Sequence, residues 1–478
     1  MKNKITWSAC ALALTLSLPG CKDALDIQPQ QSIDASTAYT SQQKLGAAVV
    51  GAYARLDNPS LYGTDLILVP ELLGGNSYVN WEGSFGNYRQ LRNHNQISTN
   101  SNAESIWTQA YAAINQCNLI IDNLGVVSDA TTKNQYEGEA LFIRSAMYFE
   151  LVRLYAQQYQ PGGNNTQDGV PINLTGITTV EQADVKLTRA SVEQVYTQVV
   201  NDLKSAIQKL PSQNVSRASK YSAEALLARV YLQQGNYAAA RIAADNVITS
   251  SGASLQGSVG AVFSNRNSGE SLFEIQQNDQ NNAGTSNSGL ATFFAGYSPT
   301  GDQSVLYGRG DVAVSPAFVN LYEADDVRGT DDSTAIKTKR LIYVSDGNNK
   351  AGRYRTIKWR TYGQNIPVIR LAEMYLIRAE CDVRAGNTAS ATDDINTIRQ
   401  RSGASPKTAV TLADVLLERR LELAFEGFRI HDLKRTNGIV IAATATTPAV
   451  RASDPRFVLP IPQREINNNS GLTQNAGY

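Results

Sequence analysis

The sequence predicts a mostly α-helical protein, a tetratricopeptide-like superhelix of helix pairs with long ligand-binding loops and a few short strands. Three observations predict it. Long stretches repeat apolar residues every three to four positions, the period of a buried helix face. Small residues and a glycine recur at the spacing of a helix pair. Two segments, 57–100 and 251–355, break the helical pattern with Gly, Pro, Asn and Ser.

The chain opens on a different kind of segment. Lys2 and Lys4 precede an uncharged run from Ile5 to Leu18. That run falls short of the ~20 apolar residues a bilayer-spanning helix needs, and it suits the apolar core of a secretory leader. Leu18-Pro19-Gly20-Cys21 then resembles the lipobox of bacterial lipoproteins, with Pro19 as a departure. The expectation is a leader over 1–20, cut before Cys21, and a lipid on the Cys21 thiol. Residues 21–44 are polar and turn-prone and read as a lipidated tether. The rest, 45–478, reads as a single domain with its helical scaffold mainly in 101–250 and 365–435 and a loop-rich ligand face mainly in 57–100 and 251–355.

Composition narrows the function. The chain has 43 basic and 43 acidic residues, so there is no electrostatic case for nucleic acid or for an anionic membrane surface. No later segment reads as a transmembrane helix, which leaves the lipid as the expected membrane attachment. Cys117 and Cys381 each lie in an apolar, helix-like run and read as small buried hydrophobes; a long-range disulfide between them stays open.

The helices follow in order. Ile106, Tyr111, Ile114, Leu119 and Ile121 give a helix over 106–124. A longer one over 134–159 is apolar on most faces around Leu141, Ile143, Met147, Leu151 and Leu154, and is therefore buried. Ser191 caps the next, which carries Val192, Val195, Val199, Leu203 and Ile207 and stops at Pro211. Ala228, Tyr231, Gly235, Tyr237 and Ala240 then fall at the spacing of a helix pair. The alanines would allow close approach, the tyrosines would fill the groove, and Gly235 would permit the turn. A weaker copy keeps Ala379, Gly386 and Ala391 but has Asp382 and Thr388 in place of the tyrosines. Strand-like runs occur at Ser271–Ile275 and Thr356–Trp359, and Asp279 to Gly289 is a small, polar loop.

Catalysis finds little support. The two histidines, His94 and His431, are far apart, and no His/Cys/carboxylate cluster has metal-ligand spacing, so neither metal nor cofactor is expected. Neither loop region sets a carboxylate pair in an apolar surrounding that would separate two pKa values. Glu418, Glu422 and Glu426 read as one helix face paired with Arg419, Arg420 and Arg429. Gly308-Arg309-Gly310-Asp311 reads as a glycine turn without the strand-then-helix context of a phosphate loop.

Binding is better supported. Sugar rings offer apolar C–H faces and many hydroxyls, so their sites pair flat aromatic rings with hydrogen-bonding side chains. Residues 76–88 supply that mix: Asn76, Tyr78, Asn80, Trp81, Glu82, Phe85 and Tyr88. Trp81, in a polar, glycine-flanked stretch, is the first candidate for ligand contact, with Tyr78 and Asn80 beside it. Phe293-Phe294 and Tyr297 form a second group. Adjacent phenylalanines point differently, so one should be core and the other exposed; Phe294 and Tyr297 are the candidates there. Tyr62 and Tyr307 are weaker, and Trp107 reads as core.

Ordered motifs along the whole chain carry a resemblance. They are Tyr136-Glu137-Gly138-Glu139-Ala140-Leu141-Phe142-Ile143-Arg144 with Tyr148-Phe149, Gly169-Val170-Pro171, Ala225-Leu226-Leu227-Ala228-Arg229-Val230-Tyr231-Leu232, and Glu418-Arg419-Arg420 with Phe425-Glu426-Gly427 and Asp432-Leu433. The ending, Leu459-Pro460-Ile461-Pro462 through Gln474-Asn475-Ala476-Gly477-Tyr478, fits them, with Ala476 where proline is common. On these motifs the chain resembles the SusD/RagB family of surface nutrient-binding lipoproteins. The resemblance implies four tetratricopeptide-like units and loops that form the ligand face. It also implies a partner, a SusC-like TonB-dependent outer-membrane transporter, on which the lipoprotein sits as a lid. Asp23 and Asp26 after Lys22 are similar to the acidic stretch that routes such proteins to the cell surface. The function implied is capture of a glycan and its delivery to that transporter. The alternatives are capture of peptides, as in another branch of the family, or a structural lid with little affinity of its own. The family's ligand residues vary, so none carries over.

Overall fold

The computed structural model describes residues 38–75, 77–214, 216–296, 308–334, 339–345 and 350–478. The leader, Cys21 and tether residues 22–37 lie outside the described residues, as do Asn76, Tyr297 and Tyr307.

Ser41 caps the first helix, α1 (Gln42–Leu56), which buries Leu45, Val49, Ala52 and Leu56 at the helical interval. The segment 57–100 is less irregular than its sequence suggests. It holds α2 (Asp65–Leu72), a short strand β1 (Val79–Trp81) and α3 (Gly86–Asn93). α2 escapes a periodicity reading because every one of its residues is buried and Pro70 lies inside it.

The scaffold helices agree closely with expectation. Asn100 and Asp129 cap α4 (Ser101–Asp122) and α5 (Ala130–Tyr155). α5 is buried from Gly138 to Tyr155 without interruption. α6 (Val192–Lys209) starts at a reciprocal cap between Ser191 and Gln194 and ends before Pro211. The helix pair is α7 (Lys220–Gln234) and α8 (Tyr237–Ser250), joined at Gly235 with φ of 72°. A side chain there would meet the Pro161 ring at 2.6 Å, so glycine is required twice over. Ala228 and Ala240 are fully buried between the helices. Tyr237 packs on the core and its ring also lies 4.4 Å from the Arg384 guanidinium, which bridges to the second pair.

The loop region 251–355 contributes β2 (Ser271–Ile275), a short helix α9 (Leu290–Phe294), β3 (Val312–Val314), β4 (Ile342–Val344) and β5 (Tyr354–Thr356). After it come β6 (Ile366–Arg370), α10 (Leu371–Ala385), α11 (Thr388–Arg401), α12 (Leu412–Glu422) and α13 (Arg429–Arg435). Successive helices pack as neighbours: α4 on α5, α5 on α6, α6 on α7, α7 on α8, α8 on α10, and α10 on both α11 and α12. This is the layout of stacked helix pairs. Strands β1, β3, β5 and β4 form an antiparallel sheet in that order, and β2 pairs with β6.

Two expectations need correction. The strand expected over 356–359 ends at Thr356, and Trp359 is instead a fully buried core residue. The acidic row does not lie on one helix, because α12 ends at Glu422. Its carboxylates also choose other cations. Glu418 pairs with Arg328 and Arg399, Glu422 with Arg328, Arg370 and Arg401, and Glu426 with Lys358 and Arg370. Arg370 ties the cluster together and also reaches Glu270 at 2.9 Å.

Cys117 and Cys381 are free, buried thiols, each pushed up to about 12 by burial. Among the described residues no helix is long and apolar enough to cross a membrane.

Candidate ligand-binding site

The edge of the four-stranded sheet gathers the aromatic residues of 76–88. Strand β1 pairs with β3 in the register Val79↔Val314, Asn80↔Ala313 and Trp81↔Val312. Alternation along β1 sends Val79 and Trp81 inward, where both are buried. Beyond the strand the chain turns at Gly83, where a side chain would strike the Trp81 ring at 2.6 Å. It then delivers Phe85 to the start of α3.

These rings form one cluster. Trp81 packs on Tyr88 at 4.6 Å and edge-on against Phe293 at 5.3 Å. Phe85 meets Tyr88 and Phe293, each at 6.3 Å. Phe85 is the member that reaches solvent, 40 % exposed, whereas Trp81 is 7 % exposed. The expectation that Trp81 stands clear of the core is therefore corrected: the tight turn folds its neighbours over it. Beneath the cluster, Asp65 accepts hydrogen bonds from Tyr88 at 2.7 Å and from Asn102 at 3.1 Å, and burial pushes its carboxyl up to about 6.

One charged side chain meets Phe85, and ion pairs hold the strand ends next to it. The Arg309 guanidinium lies 4.9 Å from the Phe85 ring centre and 5.3 Å from that of Phe293. Asp311 holds Arg309 at 2.8 Å and Lys350 at 2.7 Å. Glu82 pairs with Arg353 at 3.0 Å and accepts from Arg355 at 3.1 Å. Arg355 is buried and also donates to the Val312 carbonyl, so the Glu82 carboxylate is fixed to the sheet. Arg353 is exposed. An exposed aromatic ring in contact with a guanidinium can stack one face of a ring-shaped polar ligand and bind its edge groups.

The other candidates fall elsewhere. Tyr78 is core, stacked on Phe425 at 5.6 Å and edge-on to Phe318 at 4.7 Å. Asn80 is half-buried, and its amide oxygen accepts from Arg92 Nε at 3.1 Å. Phe293 and Phe294 are both fully buried, which corrects the expectation that one would be exposed. The cause is that Phe293 fills the Trp81 cluster while Phe294 packs on Phe425 at 5.9 Å on the other side. The sequence marks Arg309 only as part of a glycine turn and does not mark Arg353. A glycine turn carries the first and an exposed loop end the second, with no local pattern that links either to Phe85.

A groove of about 800 Å³ lies on the helical side, lined among others by Trp107, Tyr111, Asn173, Lys186 and Arg464. Its rings are committed: Trp107 is buried, and the Tyr111 hydroxyl donates to the Pro171 carbonyl at 2.7 Å. Among the described residues no group of His, Cys, Asp and Glu is arranged to hold a metal ion.

Comparison with known proteins extends these observations. A profile of the SusD family matches residues 343–478, and a profile described as starch-binding associating with outer membrane matches residues 23–232. The SusD-like protein P2 of Formosa agariphila is 28% identical over the whole of both chains. The starch-binding protein SusD of Bacteroides thetaiotaomicron is 25% identical over 99% of each. A SusD superfamily protein from Bacteroides thetaiotaomicron, solved by crystallography, superposes with a TM-score of 0.76 at 26% identity, covering 91% of this chain and 99% of its own.

Proposed function

The chain belongs to the SusD/RagB family, and from that premise we propose that it captures a glycan at the bacterial outer membrane and passes it to a SusC-like TonB-dependent transporter. The observation that carries the reading is the exposed Phe85 ring with Arg309 against it, three residues beyond the Glu82–Arg353 ion pair at the end of β1. A sugar ring would stack its C–H face on Phe85 while its hydroxyls bridge to Arg353 and Glu82. Tyr88 and Phe293 pack against Phe85 and hold it in place. Both carboxylates at this edge, Glu82 and Asp311, are each engaged by two cations. Neither is placed as a free proton donor, which supports binding without catalysis.

Affinity electrophoresis tests this. The starch-binding relative makes an α-glucan the first ligand to try, followed by a panel of other polysaccharides. Retardation in at least one gel is expected, and Phe85→Ala should reduce it by about tenfold in apparent affinity, or ~1.4 kcal/mol. Migration unchanged by every glycan would remove the reading.

The anchor belongs to the same proposal. A lipid on Cys21 and a tether to about residue 44 would keep the scaffold attached while it moves over the transporter. Cys21→Ala should shift the protein from the membrane fraction to the soluble fraction. Wild-type protein extracted in mild detergent should bring a large outer-membrane transporter with it. Membrane retention of the variant, or wild-type protein that purifies alone, would contradict the arrangement.

A further inference from the structure

Away from the sheet edge, α12 and α13 bring three arginines together: Arg419 is paired with Asp432 and Glu373, while the half-buried Arg420 and Arg429 have no ion-pair partner among the described residues. Between the two helices lies a cavity of about 60 Å³, walled by Tyr78, Arg419, Arg420, Phe428, Arg429 and Asp432 among others. That is room for a few water-sized atoms. Three guanidinium nitrogens around it, Arg419 Nη1, Arg420 Nε and Arg429 Nε, are buried and have no acceptor among the described residues. The carboxylate in the wall is already committed: Asp432 pairs with Arg419 at 2.9 Å and with Arg435 at 2.7 Å. Glu71, behind Tyr78, gives one oxygen to the backbone N–H groups of Gly427, Phe428 and Arg429. Glu71, whose Oε2 is buried without a partner, acts on both Arg420 and Arg429 from a distance and Asp432 acts on Arg429, but the groups in contact with the two guanidiniums are aromatic. Arg420 lies 5.7 Å and Arg429 5.8 Å from the centre of the Tyr78 ring, and Arg420 is 5.0 Å from that of Phe318.

Cation–π contact compensates a desolvated guanidinium only in part. Burial, reinforced by the neighbouring Arg429 charge, pushes Arg420 down to about 10. Both arginines line this one cavity and each keeps an Nε without a partner, so an anion held there would meet two like charges. Guanidinium forks suit the spread charge of an oxyanion.

We infer that Arg420 and Arg429, with Arg419, form a binding site for one small oxyanion of sulfate or carboxylate type, either as a free ion or as the acidic substituent of a sugar. The site is separate from the Phe85 edge and does not depend on the glycan reading.

Calorimetric titration of the mature full-length protein with sodium sulfate, at constant ionic strength, tests it. Saturable binding in the millimolar range is expected, weakened at least tenfold in Arg420→Met and in Arg429→Met. Because Arg420→Met removes a half-buried charge beside a like charge, it should melt at or above the wild-type temperature in sulfate-free buffer, which separates loss of the site from loss of the fold. Competition by glucose 6-sulfate but not by glucose would assign the oxyanion to a sugar. Failure of both to compete would assign it to a free ion, and either result upholds the site. Absence of saturable binding in the wild type, or equal binding by the variants, would mean water or an adventitious ion only and would overturn it.

Discussion

Glu422→Gln is expected to lower the unfolding free energy by about 3–5 kcal/mol, the usual outcome when one member of a buried ion cluster is removed. Glu422 is fully buried and accepts from Arg370 at 2.6 Å and Arg328 at 3.0 Å, with Arg401 as a third partner. Glutamine keeps the shape but leaves three buried cations short of one negative charge. The effect has a pH signature. Burial alone would raise the Glu422 carboxyl, but Arg401, Arg370 and Arg328 overcome it and hold the group well below the ordinary carboxylate range. A depressed folded pKa contributes stability that is present above the unfolded value and lost as pH falls toward the folded one. The gap between wild type and variant should therefore be constant near neutrality and narrow by about 1.4 kcal/mol per pH unit below about 4.5. Urea unfolding at pH 7 and at pH 3.5 checks both parts. An equal gap at the two pH values would mean that the carboxylate's charge is not what stabilises the cluster.

Trp359→Ala should cost about as much, roughly 3–5 kcal/mol, for a different reason. Trp359 is fully buried, lies edge-on to Phe263 at 5.1 Å and donates through Nε1 to the Phe425 carbonyl at 3.0 Å. Phe425 has a φ of 68°, a left-handed conformation that disfavours a bulky side chain. Its N–H donates to the Tyr78 hydroxyl at 2.8 Å, so Trp359 and Tyr78 hold it from both ends. The alanine variant loses ring packing and one of these two restraints. Trp359→Phe keeps most of the bulk and loses the hydrogen bond, and should cost nearer 1 kcal/mol plus a small packing term. Scanning calorimetry of the two variants separates them. An alanine variant that melts with the wild type would contradict the account of Phe425 as a restrained residue.

The parts of the fold legible in the sequence are those whose ends and faces differ chemically. α6 has a cap at Ser191, a partner at Gln194, one apolar face and a stop at Pro211. Gly235 and Gly386 mark the two helix turns because each takes a left-handed conformation. α2 offers no such contrast, since burial on all sides erases the period and Pro70 mimics a break. The ion cluster was legible as a set of charges but not as pairs. Glu270, Arg328 and Lys358 come from distant segments, and local spacing offered nearer arginines that the fold turns elsewhere.

The candidate site divides in the same way. Composition selected the segment 76–88, because aromatic and polar residues there lack a helical or strand period. It could not select the ring. Trp81 is drawn inward by strand alternation against Phe293, and Phe85 emerges because it follows the turn at Gly83. Arg309 reaches Phe85 only through the pairing of β1 with β3, a contact with no local sequence signal.

Glycan binding over Phe85 at this sheet edge would depend on that ring. Its most direct test is calorimetric titration of wild type, Phe85→Ala and Tyr111→Phe with the glycan that retards the wild type most. The account predicts a loss of about tenfold or more for Phe85→Ala and unchanged affinity for Tyr111→Phe, whose hydroxyl lies on the helical groove. Full affinity in Phe85→Ala, with the loss confined to Tyr111→Phe, would place the ligand in the groove and contradict it.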